Sequence, residues 1–137
     1  MSDHANRYSR LTYLAFGELL DDRRTVVGEQ CAQFHAALQA GCSAEQAAAA
    51  FPPSAREAAE HAARAVRAFE AAIGEKTGAP PTWVSRPGYR GTSFAVGIPR
   101  HFTGSLAAED AAVAAADALA ALLTTLGATD VGSAWMD

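Results

Sequence analysis

The sequence predicts an α+β fold: an Ala-rich helical domain of three to four helices, a small β element near residues 82–98, and a C-terminal strand. Three observations carry this. Apolar residues recur at helical spacing through long stretches of the chain. Residues 82–104 break that pattern with Gly, Pro, β-branched and aromatic residues. After the last helical stretch, Ala128 to Met136 return to a strand-like pattern. An all-α bundle is the alternative.

Taken in order, residues 1–9 are polar and read as a flexible start. The positions Tyr13, Phe16, Leu20, Val27, Cys31, Phe34 and Leu38 step by three, four or seven, which places them on one helical face. Arg24 interrupts that stripe, so Asp21-Asp22-Arg23-Arg24 is either a solvated helical turn or a break. Gly41 is placed to end the helix. Ser43 with Gln46 forms a capping box for a short helix from Ala44 to Phe51. Pro52-Pro53 ends it, because proline lacks a donor and restricts the residue before it. Ser54 with Glu57 reads as a second capping box, opening a helix to about Ile73 with an apolar row of Ala58, Ala62, Ala65 or Val66, Phe69 and Ile73. Gly74 and Gly78 close it. Thr82 to Ser85 and Thr92 to Ile98 are the candidate strands. Ser105 begins the last helix, with Leu106, Val113, Ala116, Leu119, Leu123 and Leu126 expected inward and Gly127 as its stop.

The length of 137 residues fits a single domain with its own core. A net charge of −4 argues against nucleic acid and anionic membranes as partners. The longest apolar run, Ala111 to Ala116, is far too short to span a bilayer. The first residues lack a basic, then apolar, leader pattern, so a cytoplasmic protein of bacterial type is expected. Cys31 and Cys42 are poorly spaced for a disulfide. The helix rises about 13 Å from Cys31 to Ala40, and two more residues recover only about 7 Å. A reduced pair is expected.

The chain carries no Walker loop, dinucleotide-binding glycine fingerprint, HExxH, CxxC or GxSxG motif. The segment most suggestive of function is 84–104, VSRPGYRGTSFAVGIPRHFTG. No acidic residue lies between Glu75 and Glu109, whereas Lys76, Arg86, Arg90 and Arg100 all do. Arginine supplies planar, bidentate donors for carboxylate or phosphate. Arg100, His101 and Thr103 lead into a helix start, where free N–H groups favour an anion. The leading expectation is a binding or accessory protein, a homodimer, that engages an anionic small molecule or an acidic protein partner. Arg86, Tyr89, Arg90, Arg100, His101 and Thr103 would make the contact, with no cofactor. The bland reading is a hairpin with solvated arginines, and Glu109 and Asp110 could themselves satisfy the helix dipole.

Three other readings compete. A small enzyme acting on a carboxylate- or phosphate-bearing metabolite would use Arg90 and Arg100 as the anion clamp. His101 and Tyr89 would be its acid–base pair, the imidazole kept neutral by the neighbouring arginine. A metal site could draw on Cys31 with His35 and Glu57 with His61, each pair four apart on a helix. Cys31, however, lies on the apolar stripe and Glu57 and His61 on a polar face, so no metal site is expected. A helix-turn-helix-like regulator would place its turn at Phe51–Ser54, but Glu57 and Glu60 on the following helix repel phosphates.

Overall fold

A computed structural model describes residues 12–19, 21–74, 83–85, 92–97 and 106–136. Within them the chain alternates between two kinds of structure. Strand β1 (Thr12–Glu18) is followed by helix α1 (Asp21–Gln39), the short helix α2 (Ala44–Ala48), a 3₁₀ turn (Pro53–Ala55) and helix α3 (Arg56–Ile73). Strands β2 (Trp83–Ser85) and β3 (Thr92–Gly97), helix α4 (Leu106–Thr125) and strand β4 (Thr129–Met136) complete it. The α+β class holds, and the all-α alternative falls.

The sheet has four strands in the order β2-β3-β1-β4. Every neighbouring pair is antiparallel: β2 with β3, β3 with β1, and β1 with β4. β3 and β4 therefore run parallel to each other with β1 between them, joined through α4. This is a split β-α-β arrangement. The register places Phe16 opposite Ala95 on β3 and opposite Gly132 on β4, with an irregularity between Phe16 and Glu18.

The largest departure from the sequence reading is at the start. The Tyr13-to-Leu38 stripe does not belong to one helix, since Thr12–Glu18 is an inner strand of the sheet. Tyr13, Leu14, Ala15 and Phe16 form a short apolar run rich in aromatic residues, which satisfies a 3.6-residue period by accident of spacing. Pairing on both edges decides the matter, because each strand edge supplies hydrogen bonds that a helix would have to make alone. The break precedes Asp21, and Asp21-Asp22 instead open α1, where acidic residues complement the helix dipole. From there the stripe holds: Val27, Cys31, Phe34 and Leu38 are all buried.

The capping box at Ser43 is present in both halves. The Gln46 N–H donates to the Ser43 hydroxyl at 3.1 Å, and the Ser43 N–H donates to the Gln46 side-chain oxygen at 2.9 Å. The second box is absent: α3 starts at Arg56 behind Ala55, with no side-chain cap. Pro53 heads a 3₁₀ turn whose Ala55 N–H already donates to the Pro52 carbonyl at 2.9 Å, so the helix enters without Ser54. The buried row of α3 is Ala59, Ala62, Ala63, Val66 and Phe69, rotated slightly from the expected one. On α4, Leu106 is 74% exposed rather than inward, because its helical phase places it on the outer stripe with Asp110 and Asp117, opposite the buried Ala108 and Ala115.

α4 packs against β1, β3 and β4 and also against α3. Its buried residues, Ala108, Ala112, Ala115, Ala116, Ala118, Leu119, Leu122 and Leu123, cover a broad arc. Its exposed stripe is narrow, running through Asp110, Ala114, Asp117 and Ala121. A helix apolar around most of its circumference is one enclosed by its neighbours. Three arginines fasten the helices to one another through main-chain carbonyls. Arg23 on α1 donates to the Leu126 carbonyl at the end of α4 at 2.9 Å. Arg56 donates to the Phe51 carbonyl at 3.2 Å, and Arg67 on α3 donates to the Cys42 carbonyl after α1. Phe34 and Phe51 meet at a ring separation of 5.5 Å, tilted by 58°.

α4 ends in a left-handed Gly127 at φ 95°, with the Ala128 N–H donating to the Leu123 carbonyl at 3.0 Å. This reversal presses β4 against β1 where β1 carries Gly17. A Cβ at Gly17 would lie 3.0 Å from the Cβ of Ala128 and 3.1 Å from a Val131 methyl. The Ala128 Cβ is fixed to the backbone and cannot swing aside. Gly17→Ala is therefore expected to lower stability by about 1–3 kcal/mol, since the clash exceeds the roughly 0.4–1 kcal/mol gained from a stiffer unfolded chain. Urea unfolding of the two proteins measures the difference, and an unchanged midpoint would contradict the close approach.

Candidate functional site

β3 positions both halves of the segment singled out from sequence. It is six residues long, so its ends stand roughly 17 Å apart. The 86–91 connection leaves from Ser85 and returns at Thr92, which pair with each other at one end of the sheet. That is the end where β1 finishes at Glu18 and β4 begins at Thr129. The 98–105 connection leaves from Gly97, opposite Leu14, at the other end, and leads to the start of α4 at Leu106. Arg86, Tyr89, Arg90, Arg100, His101 and Thr103 themselves lie outside the described residues. Their attachment points are thus a strand's length apart, with Arg86, Tyr89 and Arg90 tied to one end and Arg100, His101 and Thr103 to the other.

The described arginines bear on what that segment can do. Arg23, Arg56 and Arg67 donate to carbonyls, Arg64 lies 3.5 Å from the Glu45 carboxylate, and Arg24 also has a partner within the chain. Each arginine of the helical layer is engaged internally. Arg64 and Glu45 are both well exposed, so that ion pair contributes little to stability.

The alternative ligand set is dispersed. Cys31 is buried and His35 half-buried on α1, while Glu57 and His61 are exposed on α3. Among the described residues no three His, Cys, Asp or Glu side chains come together to hold a metal ion. Cys31 and Cys42 are both free thiols. The helix-turn-helix comparison reduces to α2, a 3₁₀ turn and α3, whose exposed residues Arg56, Glu57, His61 and Arg64 mix both signs of charge. Among the described residues no helix is long and apolar enough to cross a membrane.

Two polar atoms on α1 escaped the sequence reading. The Gln30 Oε1 and the His35 Nε2 are buried without a hydrogen-bond partner. They flank the apolar stripe, Gln30 one residue before Cys31 and His35 one after Phe34, and helical phase alone marked them only as its edges. Burial lowers the His35 pKa from 6.5, with the Glu70 carboxylate pulling it the other way. Burial pushes the Cys31 thiol up to about 12.

These shifts have measurable consequences. Because folding favours neutral His35, its contribution to stability is present above pH 6.5 and is lost as pH falls below that value, where the unfolded chain takes up the proton first. The expected outcome is a fall in the unfolding midpoint between pH 7 and pH 5 that is smaller in His35→Gln; equal slopes would exclude His35 as the source. With a thiol reagent at pH 8, the folded protein is expected to expose Cys42, which is half-buried, and to release Cys31 only in denaturant. Two thiols reacting at equal rates in the native state would contradict the burial of Cys31. Compared with protein-family models, curated proteins and solved structures, the chain matches none of them.

Proposed function

We propose that this is a small cytoplasmic binding or accessory protein of bacterial type, a homodimer, that engages an acidic protein partner or an anionic small molecule through the Gly- and Arg-bearing segment 84–104. The observation that carries the reading is the division of labour among the cations. The arginines of the helices are engaged inside the chain, whereas Arg86, Arg90 and Arg100 fall in a stretch without a single acidic residue. A chain of net charge −4 that concentrates positive charge in one segment sets up a local field opposite to that of its surroundings.

The separation of the two attachment points favours the acidic protein partner over the small molecule. A single carboxylate or phosphate is reached from one end of β3, while an extended acidic surface can meet both arms across roughly 17 Å. Arg90 would serve one arm, with Arg86 and Tyr89, and Arg100 the other, with His101 and Thr103.

Titration with a Glu-rich peptide and, separately, with inorganic phosphate tests this. Arg90→Ala and Arg100→Ala are each expected to weaken peptide binding roughly tenfold, as loss of one charge-assisted contact does. The double variant should lose the product of the two effects, since distant sites act independently. Sensitivity to Arg100→Ala alone, with phosphate as the better ligand, would move the reading to a small anion held before α4. Binding of both probes unaltered in the double variant would remove the segment from the function.

A further inference from the structure

We draw no further inference here: the strongest candidate, the outer edge of strand β4 (Thr129–Met136) at the end of the sheet order, carries nothing because nothing among the described residues shows what covers it.

Discussion

The packing of α4 between the sheet and α3 is the contact on which the rest of the structure depends. Few side chains could fill that place. A helix of leucines would hold its neighbours at a wide separation, whereas Ala108, Ala112, Ala115, Ala116 and Ala118 allow close approach. Leu119, Leu122, Leu123 and Leu126 then enlarge the contact toward the helix end. The alanine content therefore has a mechanical role: it thins the shared element so that the sheet and the helical layer contribute to one core. Each alanine buries little area, and the stabilisation comes from the number of atoms in close contact rather than from bulky side chains.

That arrangement leaves several carbonyls near the core without helical partners, and arginine satisfies three of them. Arg23 is the clearest case, since α4 has no basic residue in its own last turn and receives a cation from α1. Arg67 and Arg56 do the same for the connections on either side of α2. Guanidinium groups suit this task because their aliphatic stems lie along apolar surface while the planar head reaches a carbonyl. The helical layer thus uses its cations for cohesion.

Much of the helical half was legible because helix signals are local. The Ser43–Gln46 box, the prolines at 52–53 and the glycines at 41, 74 and 127 mark ends through interactions a few residues apart. Strands β2, β3 and β4 were legible through composition. β1 was not: its identity depends on partners at Phe94–Gly97 and Thr129–Met136, which no window around Tyr13 contains. The Ser54 box failed for a related reason, as the two prolines impose a 3₁₀ turn that takes over the helix start. For the candidate segment, residue types and charge were legible and the separation of its two arms was not. That separation follows from β3 lying paired between them.

The inner place of β1 also governs how the chain reaches its native state. The strand precedes the other described elements in the chain, yet both of its partners come from the far half of the sequence, the most distant pairing being Thr12 with Met136. Closing so long a loop carries a large entropic cost before any strand contact repays it. The contacts of α2 with α1 and α3 join segments close in sequence, so the long-range closure falls on β1. High contact order of this kind slows folding and lengthens the exposure of Tyr13-Leu14-Ala15-Phe16. β1, paired on both sides, is thus the strand whose place in the sheet costs the most loop closure.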